Sequence, residues 1–462
     1  MGRPELLTLA RLERRHDALE IDFTLDGRLF RKRHRWQGVD LPELERHHGR
    51  ELLQRIYFHI AAFEAVPMAG LRPRRLDFGS WSRYANTELE RLWRRVLRGT
   101  GGQWRWENGL AADLGPDWVG DRALGAHDPG AVEPGEVDGL CFNGGGKDSL
   151  VAMRLLERAG RPYATLAYSH STYGGECLQH ELIAGVERHC QPAHSHRQWV
   201  EDELWDEPAV TAHEFGVSRP IVCETPISIF AALALARGYC YLIQANERSA
   251  DEGSFVWPET GEEVNHQWGK SFAAERLLDA YLRRHLLANV SYFSLLKPIW
   301  DVVIFNLLRA EGEAARDTHS CSVRKPWCET CPKCAYVGLG FHAYLDEKVV
   351  EGIFAANLFD RRENLEHYRG LLGLDRPKPF ECVGEIGESR LAFELCRRRG
   401  VEGRAIDEWA RHADGFDPRR ALDRYARVDE TRSGLPEQLA RALLPRMRSA
   451  AAGARDYAES RL

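Results

Sequence analysis

The stretch that decides the fold is LCFNGGGKDS, residues 140–149. The apolar run 137–142 predicts a buried strand, the glycines predict a tight turn, and 148–159 has the apolar spacing of a helix. Glycines let backbone amides approach a ligand closely, and a helix N-terminus adds unpaired donors and partial positive charge. With a lysine and a hydroxyl added, the turn predicts a phosphate cradle. Its phosphate-binding residues are predicted to be Gly144, Gly145, Gly146, Lys147 and Ser149.

Asp148 distinguishes this loop from a Walker A loop. That motif needs Gly six residues before the Lys and Ser or Thr directly after it, whereas this chain has Cys141 and Asp148 there. A carboxylate beside a phosphate is costly unless a cation lies between them. Asp148 therefore predicts Mg²⁺ bridging to a pyrophosphate.

The segment resembles the PP-loop of the ATP pyrophosphatase superfamily, whose pattern is S-G-G-x-D-S. Gly145, Gly146, Asp148 and Ser149 match, while Gly144 replaces the first serine and removes one hydroxyl contact. The resemblance implies cleavage of ATP between the α and β phosphates, adenylation of a substrate oxygen and release of pyrophosphate.

A second polar cluster follows the strand predicted over 239–245. The loop NERSADEG, 246–253, contains Glu247, Asp251 and Glu252. Strands alternating with helices imply a parallel sheet, in which this loop and the glycine loop emerge at the same edge. The acidic residues are therefore candidate Mg²⁺ ligands, and a solvated acidic loop is the structural alternative.

The next segment, VNHQWGKS at 264–271, has five polar side chains in eight residues. Lys270 is predicted to neutralise pyrophosphate. His266 is predicted to transfer a proton, because imidazole titrates near neutral pH. A purely structural histidine is the alternative at that position.

Four cysteines, Cys321, Cys328, Cys331 and Cys334, fall within fourteen residues. Four thiolates at this spacing favour a structural Zn²⁺ site, and an iron–sulfur cluster is the alternative. Cys321 lies seven residues before the C-x2-C-x2-C core, so it is either the fourth ligand or a free reactive thiol.

Around these motifs the chain divides into three regions. Residues 1–130 mix strands with helices, including a strand at 19–25 and a helix at 51–65. Residues 136–345 alternate strands with helices, which include helices predicted over 178–190 and 227–237, and 346–462 is mainly helical and rich in arginine. The predicted fold is α/β: a parallel-sheet PP-loop domain (adenine nucleotide alpha hydrolase-like), with an N-terminal α+β region and a helical C-terminal region. The stretch 125–135, GAHDPGAVEPG, is the predicted linker.

Composition excludes several classes of protein. The 462 residues carry 63 Lys and Arg against 69 Asp and Glu, a net charge of -6, which argues against a general nucleic-acid binder. The N-terminus is charged from Arg3 and lacks an apolar signal region, and the apolar run 229–236 is too short to span a membrane. We expect a cytoplasmic protein without a membrane partner. Its oligomeric state is left open.

The ordered set of motifs is similar to the ATP-dependent UDP-N-acetylmuramoyl-L-alanyl-L-glutamate epimerase family. The set of motifs comprises NGGGKDS (143–149), ANERSADEG (245–253), VNHQWGKS (264–271), YFSLLKP (292–298), SC with CETCPKC (320–334) and KPFECVGE (378–385). The resemblance implies inversion of the terminal L-Glu of a nucleotide-linked muramoyl dipeptide to D-Glu in cell-wall synthesis, with ATP converted to AMP and diphosphate.

Within that reaction, an acyl-adenylate removes the carboxylate charge that otherwise keeps the α-hydrogen from being acidic. Inversion then needs two acid/base groups, or one that reaches both faces. His266 is the first candidate, and Glu247 and Cys321 are candidates for the second. Asp148, with Glu247 or Asp251, would hold Mg²⁺.

Four alternatives remain open at this stage. A PP-loop enzyme that modifies RNA, such as a tRNA thiolase, also combines the loop with clustered cysteines. An adenylating amide ligase would use the same activated carboxylate but requires an amine. A non-enzymatic zinc module would not bind ATP, and a paralogue would invert the terminal residue of another peptide.

Overall fold

A computed structural model describes residues 3–120, 128–235 and 238–462. Its strands are β1 (Leu6–Arg14), β2 (Ala18–Leu25), β3 (Arg28–Trp36), β4 (Arg75–Asp77), β5 (Asp117–Trp118), β6 (Gly139–Phe142), β7 (Ala164–His170), β8 (His194–Asp202), β9 (Tyr241–Gln244), β10 (Phe255–Val256), β11 (Glu263–Val264) and β12 (Ser291–Ser294). Ten of them form one sheet in the order β12-β9-β6-β7-β8-β3-β2-β1-β4-β5, and β10 pairs with β11.

The helices of the first half are α1 (Leu41–His48), α2 (Arg50–Ala69), α3 (Thr87–Thr100), α4 (Gly102–Glu107), α5 (Lys147–Arg158), α6 (Glu176–Glu187), α7 (Pro208–Thr211) and α8 (Glu224–Ala232). Those of the second half are α9 (Phe272–His285), α10 (Asp301–Leu308), α11 (Gly312–Arg316), α12 (Pro332–Tyr344), α13 (Glu347–Glu351), α14 (Arg362–Leu372), α15 (Ile386–Arg398), α16 (Arg404–His412), α17 (Pro418–Tyr425) and α18 (Glu437–Glu459). None of the helices described is both long and apolar enough to cross a membrane.

The five strands β12, β9, β6, β7 and β8 are mutually parallel. From β6 the chain winds outward through β7 to β8, then returns to β9 on the other side of β6 and continues to β12. This reversal places a topological switch point beside β6, where doubly wound α/β sheets bind ligands at the carboxyl ends of their strands. The predicted α/β class and its parallel sheet are confirmed.

The parallel half is buried on both faces, and alternate residues of each strand point to opposite sides. Leu140 lies in one core and Cys141 in the other, as do Leu242 and Ile243. Helices α2, α3, α8 and α9 cover the first face, and α5, α10, α12 and α15 cover the second. The N-terminal and C-terminal regions thus cover opposite faces of a shared sheet.

The N-terminal strands extend the sheet as an antiparallel meander. Asp26 and Gly27 join β2 to β3 with φ of 48° and 85°, as a two-residue hairpin turn with positive φ at both positions requires. Strand β3 then pairs antiparallel with β8. At this seam the buried Lys32 Nζ lies 2.8 Å from Glu64 and 2.6 Å from Asp202.

The predicted elements agree with the structure to within a few residues. The strand expected at 19–25 is β2, the helix at 51–65 is α2, and those at 148–159 and 178–190 are α5 and α6. The helix expected over 227–237 is α8 followed by a 3₁₀ turn, Leu233–Leu235, and its last two residues lie outside the described residues.

The predicted linker is also only partly described. Its residues 125–127 lie outside the described residues. The rest is tied down, because Gly130 forms a bridge to Leu287 and the Val132 amide donates to Asn289 Oδ1 at 2.9 Å.

Candidate functional site

The loops that follow β6 and β9 open into a cavity of about 500 Å³ at the switch point. The sequence-predicted residues among those that line it are Gly144, Gly146, Asp148, Ser149, Glu247, His266, Lys270 and Cys321. Motifs separated by up to 177 positions in the chain (144 to 321) therefore share one space.

The glycine loop is shaped by close contacts. Gly145 has φ +73°, and a Cβ built there would lie 2.1 Å from His319 Nε2. The His319 amide donates to the Gly145 carbonyl at 2.8 Å, and the Gly144 amide donates to Ser149 Oγ at 3.1 Å. Helix α5 starts after Gly146 without a side-chain cap, and Gly146, Asp148 and Ser149 line the cavity, so the first amides of the helix are available there as donors for an anion.

Lys147 does not line the cavity, although the sequence predicts that it binds phosphate. Its side chain is 1% exposed, and Nζ lies 2.6 Å from Asp148 and 2.5 Å from Asp301. Burial opposes its charge, but these two carboxylates raise the pKa of Lys147 overall. The structure thus places the ammonium beneath the loop, where it fixes the first turn of α5.

Two carboxylates face the cavity from the two loops. Burial, opposed by Lys147 and reinforced by Glu247, raises the pKa of Asp148 to about 6. Burial acts in the same sense on Glu247, but nearby ammonium groups, Lys147 first, lower its pKa overall. Oxygen ligands from two sides of a phosphate cradle are the donor set that Mg²⁺ prefers.

Asp251 is engaged elsewhere. Its Oδ1 accepts from the Phe272 amide at 2.7 Å and from Lys297 Nζ at 3.2 Å, and its other oxygen lies 3.3 Å from Arg248. The structure therefore brings Glu247, and not Asp251, to the cavity wall beside Asp148.

Lys297 is a positioning residue that sequence reasoning missed. Its fully buried Nζ donates to the carbonyls of Glu247 at 2.7 Å and Lys270 at 2.8 Å, which ties the two cavity loops together. The signal was present, because Lys297 lies in the motif YFSLLKP.

A second group that was missed surrounds Cys382. Its sulfur lies 3.2 Å from Lys270 Nζ, and one ligand atom each of His266, Glu381 and Cys382 lies within 4.8 Å of the other two. Burial would raise the pKa of Cys382, but Lys270 and His266 lower it to about 7. Cys382 lies in the quoted motif KPFECVGE, although its role was not predicted.

The four clustered cysteines meet in space. The sulfurs of Cys321, Cys328, Cys331 and Cys334 lie within 4.8 Å of one another, with Cys321–Cys331 and Cys328–Cys334 both at 3.8 Å. Tetrahedral Zn–S bonds of about 2.3 Å require sulfur separations of roughly 3.8 Å. The amides of Val323 and Arg324 also donate to Cys321 at 3.3 Å. The structure thus groups Cys321 with the other three.

Two family models match the chain. The MurL N-terminal domain matches residues 224–295, and the MurL C-terminal domain matches residues 315–412. These ranges include the loop after β9, the segment with His266 and Lys270, the cysteine cluster and Cys382. The glycine loop at 144–146 lies before both.

Three curated relatives carry the name UDP-N-acetyl-alpha-D-muramoyl-L-alanyl-L-glutamate epimerase. That of Micromonospora sp. is 32% identical over 259 residues, 54% of this chain and 55% of the relative. That of Xanthomonas oryzae pv. oryzae is 33% identical over 274 residues, 57% of each. That of Salinispora tropica is 31% identical over 259 residues, 54% of each. The match thus spans little more than half of each relative, and no solved structure matches the chain.

Proposed function

Because the chain is a relative of the MurL epimerases, as its motifs predicted, we propose that it inverts the terminal L-Glu of UDP-MurNAc-L-Ala-L-Glu. The reaction consumes ATP through an acyl-adenylate, releases AMP and diphosphate, and supplies D-Glu for peptidoglycan precursors. A nucleotide-linked substrate and ATP together place the proposed reaction in the cytoplasm.

One observation carries the proposal: the glycine loop, two carboxylates and a set of acid/base groups line the same cavity at the switch point. Open amides at the start of α5 fit a nucleotide phosphate. His266 and Cys382 stand in the same space, where a bound peptide carboxylate would be activated. A PP-loop type of nucleotide site joined to proton-transfer groups is the combination that this reaction needs.

The donor sets fit two kinds of metal ion. Asp148 and Glu247 would hold Mg²⁺, which neutralises the charge of the leaving diphosphate. Four cysteine sulfurs within 4.8 Å of one another, with two pairs of them 3.8 Å apart, fit a structural Zn²⁺ with Cys321 as a ligand. This zinc would fix the loop 320–334, which supplies Ser320, Ser322, Lys325 and Lys333 to the cavity.

The charges of the cavity suit an acidic peptide. Lys270, Lys325, Lys333 and Arg219 line it, so both the diphosphate and the free γ-carboxylate of glutamate can find cationic partners. Adenylation of the α-carboxylate removes the negative charge next to Cα. The hydrogen there then becomes acidic enough for an ordinary base, and amide donors near the enolate oxygen would stabilise the developing charge.

The test incubates the protein with ATP, Mg²⁺ and UDP-MurNAc-L-Ala-L-Glu in D₂O. We expect AMP in proportion to turnover, and deuterium at the glutamate α-carbon together with inverted configuration. AMP formation that depends on added tRNA, or on an added amine, would support the RNA-modifying or ligase alternative instead. Inversion at the full rate without ATP would rule out the acyl-adenylate.

A further inference from the structure

Cys382 forms the centre of a polar cluster whose role the proposed function leaves unassigned. It lies in the segment between α14 and α15 and lines the cavity together with Phe380 and Glu381. Of the cysteines that line the cavity, Cys321 is engaged with three other sulfurs and Cys223 is a buried thiol whose pKa burial raises well above its usual value. The sulfur of Cys382 instead faces Lys270 and His266.

We infer that Cys382 is a catalytic residue that removes the α-hydrogen of the activated glutamyl group, with Lys270 as the positioning residue that holds its thiolate. This inference rests on the proposed function. It gives the proposed epimerase a thiolate base that is separate from the zinc-type cluster.

The contacts of Cys382 favour its thiolate form. The Lys270 ammonium lies 3.2 Å from the sulfur, and the Lys270 carbonyl is held by Lys297, so the ammonium is presented from a fixed backbone. Lys333 donates to the Cys382 carbonyl from the other side, and Glu381 accepts from the Cys382 amide at 2.8 Å. A thiolate beside an ammonium is the form that acts as a base or nucleophile.

His266 gives the thiol a path to exchange its proton. The His266 ring is oriented by Nδ1, which lies 2.6 Å from Gln103 Oε1, and a ring nitrogen of His266 lies within 4.8 Å of the Cys382 sulfur. Both residues line the cavity, so solvent reaches the pair when substrate is absent. His266 retains the proton-transfer role that the sequence predicted, but it acts through the sulfur.

The Cys382 thiolate takes the α-hydrogen as a proton: an S–H bond forms, the C–H bond breaks, and its electron pair moves into the activated carbonyl as an enolate. A solvent-derived proton then bonds to the opposite face of Cα with the enolate electron pair, the carbonyl re-forms and the configuration is inverted. Water then hydrolyses the acyl-adenylate to the free carboxylate and AMP. The thiol loses its proton to solvent through His266, and the thiolate is restored.

A metal ion bound by His266, Glu381 and Cys382 is the competing use of the same atoms. The Lys270 ammonium occupies a position 3.2 Å from the sulfur, and a second cation there would be repelled. Metal analysis of the variants decides between the two: loss of a metal equivalent on substitution of Cys382 would overturn the proton-transfer role.

The decisive experiment separates activation from inversion. Wild type, Cys382→Ser and Cys382→Ala are assayed for substrate-dependent exchange of pyrophosphate into ATP and for deuterium incorporation at the glutamate α-carbon. We expect pyrophosphate exchange within threefold of wild type, and deuterium incorporation reduced by about 10²- to 10⁴-fold. Cys177→Ser, at an exposed position on α6, is the matched control and should behave as wild type in both assays.

The outcomes separate the proposed reaction from the proposed role of Cys382. No pyrophosphate exchange in wild type would overturn the proposed function itself. Normal deuterium incorporation in a folded Cys382→Ser variant would overturn only the present inference. Equal loss of both activities would also overturn it, since that pattern indicates a structural role.

Alkylation provides a readout that a structural role would not change. The groups facing Cys382 are Lys270, His266, Lys333, Glu381 and Tyr173. The rate of iodoacetamide alkylation of Cys382, followed by peptide mass spectrometry, should reach half its maximum near pH 7, where the thiol with pKa about 7 ionises. Lys270→Gln should move this midpoint to higher pH, and an unchanged midpoint would contradict the positioning role of Lys270.

Discussion

Two buried lysines in this protein each lie between two carboxylates, but the surroundings of the two clusters differ. Lys32 lies between Glu64 and Asp202 at 2.8 and 2.6 Å, and Lys147 lies between Asp148 and Asp301 at 2.6 and 2.5 Å. In the first cluster no side chain is more than 2% exposed. In the second, the side chain of Asp148 is 24% exposed and lines the cavity.

The comparison shows what makes a buried ion pair functional. In the cluster at the seam of β3 and β8, both carboxylates contact Lys32, and Glu64 also lies 2.8 Å from His34 Nε2. The cluster under the glycine loop satisfies Lys147 and keeps one carboxylate facing a possible ligand. The first is expected to act on stability and the second on catalysis.

Asp148→Asn should have the largest effect. We expect pyrophosphate release to fall by about 10³-fold, which corresponds to roughly 4 kcal/mol, because the metal ligand is lost while the shape remains. The measurement is release of pyrophosphate under saturating ATP and substrate, with urea unfolding as the control for stability. Turnover at the wild-type rate would contradict the metal-binding role of Asp148.

Lys32→Met should destabilise the protein by about 3–5 kcal/mol, because Glu64 and Asp202 would remain buried without their cation. The midpoint of urea unfolding should fall, while the folded fraction keeps its rate of pyrophosphate exchange. Lys147→Met is the matched variant and should lose less stability, since Asp148 can reach solvent and Asp301 retains Tyr336 at 2.7 Å. Equal losses of stability would remove the distinction between the clusters.

Gly145→Ala should reduce pyrophosphate exchange by about 10²-fold, or roughly 3 kcal/mol. The added methyl meets the His319 ring at 2.1 Å, and φ +73° is strained for alanine. In the double variant Gly145→Ala/His319→Ala the clash is relieved, so part of the activity should return if His319 is otherwise dispensable for exchange. Gly160→Ala is a control for backbone strain alone, because its φ is +64° and nothing lies near the added atom.

The pH dependence of stability should also distinguish the Lys147 cluster from the Lys32 cluster. Since the pKa of Asp148 is raised to about 6 in the folded chain, against about 3.9 when unfolded, the folded state binds the extra proton between these values. Its contribution to stability is therefore present below pH 4 and is lost as the pH rises through 6. In metal-free buffer, wild type should lose stability over this window relative to Asp148→Asn. Parallel pH profiles would show that Asp148 does not titrate there.

His34→Gln should have the smallest effect, about 1 kcal/mol, because one hydrogen bond to Glu64 is weakened while the Lys32 pair persists. Thermal unfolding measures it, and pyrophosphate exchange should not change. A loss as large as that of Lys32→Met would mean that the imidazole, and not the ammonium, holds Glu64 in place.

Local patterns were enough to predict the parallel sheet and the edge at which the cavity opens. Strand β6, the triglycine turn and α5 follow directly from residues 137–159, and the loop after β9 was expected at the same edge. Sequence also predicted that Cys328, Cys331 and Cys334 group together, because their spacing is short, but it left open whether Cys321 joins them or is a free thiol.

What the sequence did not reveal depends on long-range packing. The sequence predicted that Lys147 binds phosphate because no residue near it in the chain indicates its contact with Asp301, which is 154 positions away. Cys382 and Lys297 acquire their roles only when α15 and β12 bring distant segments to the cavity. A single cysteine or lysine in a loop has no periodic pattern around it. The motifs YFSLLKP and KPFECVGE contain Lys297 and Cys382, but nothing in them indicates the role of either residue.

The pairing of β3 with β8 has a consequence for any attempt to divide this chain. A fragment beginning near residue 136 would leave β8 with a row of unpaired backbone donors and acceptors, and would strip the helices α2 and α3 from one apolar side of the sheet. Exposed edge strands of this kind can pair with strands of other chains and cause aggregation. The first third of the polypeptide is therefore expected to keep the parallel half of the sheet from self-associating.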